Sequence, residues 1–284
     1  MQETRERILT AIADGPVSGP ELAATLDISR AAVWKQVEAL RAAGFNIEST
    51  ADGYTVTAVP DYGAAAIEYG LEAPYKIEYH ETIESTNARA RDLAATGDRD
   101  VAVVADEQTG GRGRLDRSWA SPSGGLWCSV VVHPSLPAAH SPLVTLAAGV
   151  AVVDACRAAG VEATLKWPND VLVGDEGDRG GQKLAGILTE MEGEADRVSW
   201  LLVGIGLNAN IDAAELPDDA TSLRAEAGDV DRRLLVQTIL ESLAELGADD
   251  AHVIDQWREY SSTLGRHVRV ETHRETVEGR AVDV

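Results

Sequence analysis

Lysine is scarce in this sequence. Lys35, Lys76, Lys166 and Lys183 are the only four among 25 basic residues, set against 47 acidic ones. The net charge of −22 and pI near 4.6 describe a surface that stays solvated in concentrated salt, where bare repulsion is screened. A halophilic source is the expectation, with an acidic mesophilic protein as the alternative. Each remaining lysine then carries information, because solubility is left to the acids. Cysteine is rare too. Cys128 and Cys156 stand in apolar surroundings with no Cys-x-x-Cys pair or Cys/His cluster, which points to buried reduced thiols and away from metal or catalytic roles. No apolar run approaches the roughly 18 residues that cross a bilayer. The start, Met1-Gln2-Glu3-Thr4-Arg5-Glu6-Arg7, carries both signs of charge and no signal-peptide apolar region. No membrane association and a cytoplasmic location are expected. Internal repeats and low-complexity tracts are also missing.

What is present suits an ordinary globular protein. A length of 284 residues with 44% apolar content allows one large domain and one or two small ones. Residues 1–59 read as a unit. Ile8, Leu9 and Ile12 fall at helical spacing before Gly15-Pro16, and Ser18-Gly19-Pro20-Glu21 opens a second short helix. Ser29 is placed to cap a third helix, with Val33, Val37 and Leu40 on one side and Gly44 at its end. Two alternating runs around Asp52-Gly53 then read as a hairpin. Three helices and a hairpin make a winged helix-turn-helix. Residues 60–74 read as an alanine-rich linker with one helical turn. From 75 to 262 strands and helices mix. Val101–Ala105, Leu126–Val132 and Trp200–Ile205 are expected strands, and Val144–Ala159 and Arg232–Leu246 expected helices. This order favours an α+β fold, a central mixed sheet with helices on one face. Two short strands follow after Thr263.

Five stretches carry chemistry. Asp106 to Trp119 contains Gly110-Gly111-Arg112-Gly113-Arg114, followed by Arg117. Its glycines let backbone approach a ligand closely, and three guanidinium groups in so acidic a chain call for an anion such as phosphate or carboxylate. A solvated surface loop is the alternative, and no Gly-Lys-Ser/Thr makes it a P-loop. Lys166-Trp167-Pro168-Asn169-Asp170 presents Asn169 and Asp170 at a strand edge, to read a base or hold a magnesium-bound phosphate, or simply to turn the chain. Lys183 opens an apolar strand interrupted by Gly186, and a cation there can neutralise charge growing in phosphoryl or adenylyl displacement. Gly204-Ile205-Gly206-Leu207-Asn208-Ala209-Asn210 ends another strand with small residues and an amide expected to be exposed. Ser85-Thr86-Asn87 precedes a helical run and serves either as a cap or as a polar cradle for a neutral ligand rich in N–H and C=O groups.

Taken in order, these stretches resemble biotin protein ligases. With the N-terminal unit, the chain resembles the bifunctional ligases that also act as biotin operon repressors. The resemblance runs from about Glu3 to the last residue. It implies a class II synthetase-like ligase fold over 75–262 and an SH3-like barrel begun, and apparently truncated, at 263–284. It implies ATP and Mg2+ as cofactors and biotin as substrate. By the same resemblance Ser85, Thr86, Asn87 and Gln108 surround the ureido ring of biotin. Arg112, Gly113 and Arg114 fold over biotin and the adenylate, while Lys183 faces the biotin carboxylate and the α-phosphate near the Gly186 backbone. Arg114, Arg117, Asn169, Asp170 and Asn208 lie on the nucleotide side, Asp170 with the metal. Leu115 and Asp116 stand where the family loop often has basic and glycine residues. The implied partners are a biotin carboxyl-carrier domain, operator DNA and a second copy of the chain. On the N-terminal unit Ser29, Arg30, Trp34, Lys35 and Gln36 would meet the DNA, and Arg41 adds to a locally positive face. A lipoate or octanoate ligase is the nearest alternative, and a transcription factor with a relic site the one from another class. Residues from about Thr263 onward are expected to be poorly ordered or borrowed from a partner, because the hairpin read there, turning near Thr272 to Glu275, stops before a barrel closes.

Overall fold

Two serines start the helices that shape the N-terminal unit. In the computed structural model, which describes residues 3–132, 137–175, 180–194, 197–246, 250–271 and 275–284, Ser18 Oγ accepts from Glu21 N and Ser29 Oγ from Ala32 N. These caps open α2 (Gly19–Leu26) and α3 (Arg30–Ala42), which follow α1 (Glu3–Ala11). Ile8, Leu9, Ile12, Leu22, Val33, Val37 and Leu40 are buried together with Phe45 and Ile47. The wing is β1 (Asn46–Thr50) paired antiparallel with β2 (Gly53–Ala58). Val17 and Tyr54 exchange two backbone hydrogen bonds of 2.9 Å, which brings the Val17 peptide against Gly53. A Cβ on Gly53 would lie 2.3 Å from the Val17 carbonyl, so only glycine fits this turn.

The chain divides into two compact units, 1–71 and 72–284. The stretch 60–74, read as a linker from its alanines, is therefore largely part of the first unit. It forms α4 (Ala64–Glu68), buries Ala66 and Ile67, and sets Tyr69 edge-on against Phe45 at 5.6 Å between ring centroids. Burial of those side chains is what holds it there.

The second unit is built on a seven-stranded sheet in the order β3-β4-β5-β9-β8-β7-β6. Its strands are β3 (Lys76–Ile83), β4 (Val101–Gln108), β5 (Leu126–Val132), β6 (Ala163–Lys166), β7 (Asp170–Val173), β8 (Gln182–Glu194) and β9 (Arg197–Leu207). Only β3 and β4 are parallel, so the sheet is mixed. Its helices are α5 (Thr86–Thr96), α6 (Ser141–Ala158), α7 (Leu223–Ala227), α8 (Arg232–Leu246) and α9 (Asp250–Tyr260). They do not all lie on one face, contrary to the sequence expectation. Ala90 and Ala94 of α5 pack on Val103, Val131 and Leu202. Thr145 of α6 instead bonds Thr189, which pairs with Val203, the neighbour of Leu202 pointing the other way. Helix α6 thus covers the face opposite α5, and α8 and α9 pack on α6. With a mean hydropathy of 1.4, α6 is apolar and long enough to span a membrane, yet ten of its residues are buried between the sheet and these helices. It is a core helix.

Cys128 and Cys156 are buried and free, and burial pushes both thiols up to about 12. At neutral pH they stay protonated and unreactive, as their surroundings in the sequence imply. The C-terminal residues form a hairpin of β10 (His267–Glu271) and β11 (Thr276–Arg280) in continuous antiparallel register. Arg258 of α9 grips Asp283 through two hydrogen bonds of 2.9 Å. Strand β11 ends at Arg280, and the turn between the strands falls mostly outside the described residues.

Strand β3 is tied to α5 by Arg89, whose guanidinium donates to both carboxylate oxygens of Glu78 at 2.6 and 3.1 Å. That contact, helped by His80, outweighs desolvation and holds the Glu78 carboxyl below the usual carboxylate range. Its stabilisation is complete above the unfolded value of about 4.3 and disappears as pH falls through the lower folded value. Glu78→Gln should therefore lower the melting temperature at neutral pH and shrink the difference from wild type as pH drops below about 4. A gap that persists unchanged at pH 3 would assign the loss to packing instead.

Candidate functional site

Because β3 and β4 run parallel, their C-terminal ends arrive side by side, with Ile83 opposite Gln108. The chain leaving β3 enters α5 at once. Ser85 is its N-cap, with Oγ accepting from Ala88 N at 3.3 Å, so the cap reading of this hydroxyl is realised. Thr86 and Asn87 turn inward and are buried. Thr86 N donates to Gln108 Oε1 at 2.8 Å, and Thr86 Oγ1 lies 3.0 Å from the same oxygen. Gln108 Nε2 donates to Ser121 Oγ at 3.1 Å. Asn87 Nδ2 donates to Glu190 Oε1 at 2.9 Å, while Ser129 Oγ stands 2.5 Å from Asn87 Oδ1 and 2.7 Å from Thr86 Oγ1. Glu190 also pairs with Arg91.

Beside this cluster the sheet has no side chains. Gly204, Gly206 and Gly186 point to the α5 face, Gly206 and Gly186 as direct partners across β9 and β8. Added Cβ atoms would meet Asn87 Oδ1 at 2.2 Å, Trp119 Nε1 at 2.8 Å and Trp119 Cζ3 at 3.3 Å respectively. The indole of Trp119 thus lies on a floor of bare backbone, and its buried Nε1 has no hydrogen-bond partner. Lys183 stands at the edge of that floor. Its Nζ is 4.8 Å from the centre of the Trp119 ring and 2.7 Å from Asp170 Oδ1.

The glycine-rich loop folds back on itself. Trp119 N bonds Gly111 O at 2.9 Å and Gly113 N bonds Arg117 O at 2.7 Å, with Leu115 at φ 59° at the tip. A Cβ on Gly111 would sit 2.4 Å from Ser121 Oγ, so glycine is required for this approach. Arg112, Arg114 and Arg117 are all exposed, and Arg114 Nη1 reaches Asn169 Oδ1 at 3.0 Å. Asn169 Nδ2 in turn donates to Ile187 O at 2.7 Å, which joins the Trp167–Pro168 segment, a cis peptide, to β8.

Thr86, Asn87, Gln108, Gly186, Lys183, Asp170, Asn169 and Arg114 therefore come together on one face of one sheet. Asn208 does not. Its amide, expected to be exposed, is buried and donates to Thr221 O at 2.9 Å, because the chain after β9 folds back over it. Sequence reasoning gave no role to Ser129, Glu190 or Arg91. The one readable signal was a lone hydroxyl, Ser129, inside the apolar run Leu126–Val132.

On the N-terminal unit Ser29, Arg30, Trp34 and Lys35 are exposed at the start and outer side of α3, Trp34 at 58%. Gln36 is partly buried and accepts from Arg5. Arg41 does not extend that face. It pairs with Glu38 at 2.7 Å and donates to Ile47 O and Ser49 Oγ, fastening α3 to the wing.

Gly204→Ala tests the bare floor. A methyl placed on Asn87 Oδ1 should displace the start of α5 and destabilise the unit by about 1–3 kcal/mol. Thermal unfolding reads this, and an unchanged melting temperature would show that Asn87 yields freely.

Residues 79–208 match the biotin/lipoate A/B protein ligase family, and residues 4–55 match a helix-turn-helix domain. The chain is 36% identical to the bifunctional ligase/repressor BirA of Bacillus subtilis, over 94% of its own length and 86% of that protein's. The biotin–[acetyl-CoA-carboxylase] ligase of Mycobacterium tuberculosis is 37% identical over 66% of this chain and 71% of its own. Among solved structures, the biotin protein ligase of Aquifex aeolicus in complex with biotin and ATP matches with a TM-score of 0.61 at 27% identity, covering 73% of this chain and 87% of that one. The match to a full-length bifunctional relative, with helix-turn-helix and ligase regions in the same order, shows that the chain belongs to the biotin protein ligase family in its bifunctional ligase/repressor form.

Proposed function

We infer that the chain activates biotin with ATP to biotinyl-AMP and transfers biotin to a lysine of a carrier domain. The observation that carries this reading is the site's division into two parts on one sheet face. The Thr86–Gln108 pair suits a neutral ureido group. The glycine floor with Lys183 at its edge suits a carboxylate and a phosphate. Ser85 shapes the first part by capping α5, and Asn87 supports it from beneath. Arg112, Gly113 and Arg114 would close over the adenylate. Arg117, Asn169 and Asp170 would lie toward the nucleotide, with Asn208 holding the segment behind them. The biotin carboxylate attacks the α-phosphorus, pyrophosphate leaves, and the carrier lysine then attacks the acyl carbon to release AMP. No protein nucleophile is needed. Lys183 exchanges Asp170 for the developing negative charge, and positioning supplies the rest.

Mg2+ fits only as a companion of ATP. Among the described residues no three carboxylate, histidine or cysteine groups converge, and Lys183 already holds one oxygen of Asp170. On the protein side, Asp170 is the carboxylate that would meet an ion on the nucleotide phosphates. The C-terminal hairpin is read as two strands of an SH3-like barrel that meets the carrier. A cytoplasmic location and a homodimer belong to the same reading.

Mass spectrometry of a biotin-acceptor domain incubated with the protein, biotin and Mg·ATP should show one biotin added. Transfer of lipoate in its place would overturn the assignment. Lys183→Ala should slow pyrophosphate release at least about tenfold, the scale of one charge-assisted contact. An unchanged rate removes Lys183 from the reaction.

Regulation follows from the N-terminal unit. Ser29, Arg30, Trp34, Lys35 and Gln36 are read as the operator-facing residues, and the adenylate-bound form should bind operator DNA more tightly. Binding should peak at intermediate salt. Counterion release weakens it as salt rises, while the acidic surface needs salt to stop repelling DNA. Operator affinity that ignores biotin and ATP at every salt concentration would separate the two activities.

A further inference from the structure

We propose that Ser129 and Glu190 are specificity-determining positioning residues: through Asn87 they make Thr86 Oγ1 a strengthened acceptor, so that the site demands an N–H from its ligand. This rests on the biotin reading and extends it to two residues that do not themselves touch the ligand. The argument is one of proton counting. Glu190 uses one oxygen to accept from Asn87 Nδ2 at 2.9 Å and the other to pair with Arg91. A carboxylate only accepts, so the amide must turn its NH2 to Glu190 and its oxygen to Ser129. Asn87 Oδ1 has no proton, and Ser129 must donate its own across the 2.5 Å contact. Ser129 Oγ then faces Thr86 Oγ1, 2.7 Å away, with lone pairs alone.

The other neighbour of Thr86 is fixed just as firmly. Its own backbone N–H donates to Gln108 Oε1 at 2.8 Å, so the oxygen end of that amide also faces the Thr86 hydroxyl. Thr86 has one proton and two acceptors inside the protein. Whichever takes it, a lone pair is what remains for a ligand. Gln108 Nε2, bonded once to Ser121, keeps a second N–H and presents the complementary donor.

When Thr86 gives its proton to Ser129, the chain from Thr86 through Ser129 and Asn87 donates in one direction and ends on an anion. Bonds so aligned polarise one another, which makes the oxygen at the far end a stronger acceptor. Ser129 is fully buried, so no water competes for its proton. A cyclic urea supplies an N–H and a C=O side by side and fits this pair. A dithiolane ring supplies neither, so the same device discriminates against lipoate.

The test uses full-length protein and a pyrophosphate-release assay. Its probes are biotin and the two analogues in which one or the other ureido N–H is replaced by an ether oxygen. Wild type should prefer biotin strongly over at least one analogue. Glu190→Gln removes the anion and lets the Asn87 amide reverse, and Ser129→Ala cuts the chain without changing charge. Each should raise the KM for biotin about three- to tenfold and narrow its preference over that analogue, with kcat and the KM for ATP retained. If wild type does not adenylate biotin, the ligase reading fails first. If it does, and both variants keep the wild-type KM and preference, the proposal is overturned. A joint loss of kcat, both KM values and melting temperature, with the preference unchanged, would likewise reduce Ser129 and Glu190 to structural supports.

Discussion

The site depends on a patch of sheet that carries no side chains. Gly204, Gly206 and Gly186 form it at the junction of β9 and β8, and each is crowded by the residue that uses the space. Glycine weakens a strand, since it loses more freedom on folding and packs nothing. Here the loss is confined to one face. On the other face of β9, Val203 and Ile205 are buried and hold the strand in place. Remove the bare floor and Asn87 cannot descend at the start of α5. Trp119 cannot lie flat either, and Lys183 then has no ring beside it.

The two faces of the sheet divide structure from chemistry. The α6 face is mostly apolar, with the hydroxyl pair of Thr145 and Thr189 set into it. The α5 face mixes Ala90 and Ala94 at the far end of the helix with hydroxyls, amides and a carboxylate at its start. Strand alternation makes that division possible within single strands: β5 contributes Val130 to one face and Ser129 to the other. A buried polar cluster is tolerable only when its members are satisfied, and the chain from Thr86 to Arg91 gives each member a partner.

How much of this was legible depends on where the information lies. The core strands Val101–Ala105 and Leu126–Val132 were readable because β-branched runs carry their own signal. Helix α9 was not singled out, since among its described residues only Val253 and Trp257 are fully buried and charged residues stand between its apolar positions. The five motifs were legible as sequence, and eight of their residues converge in space. What stayed hidden was direction. Nothing local says that Asn208 turns inward to Thr221, or that Arg41 fastens the wing when it might have faced DNA. The helical turn within 60–74 was legible, while the unit to which that stretch belongs was not. Phe45, distant in sequence, is among the residues against which Tyr69 packs. Ser129 and Glu190 were missed for the same reason: their partners are 42 and 103 residues away.

The charge balance sets the last constraint. A protein of net charge −22 must admit anionic ligands. Long-range repulsion and short-range attraction respond differently to salt. The screening length falls from about 8 Å at physiological ionic strength to about 3 Å at 1 M, which erases the repulsion of the surface as a whole. A contact pair such as Lys183 and Asp170, 2.7 Å apart and mostly sheltered from solvent, is weakened much less. Holding that lysine on an acid, rather than leaving it bare, keeps the site neutral until an anion arrives to exchange with Asp170. Arg114 on Asn169 is different, since an amide oxygen carries no net charge to compete. Anion binding should therefore displace Arg114 from its partner more easily than Lys183 from Asp170, so the loop yields first and the strand-borne lysine last.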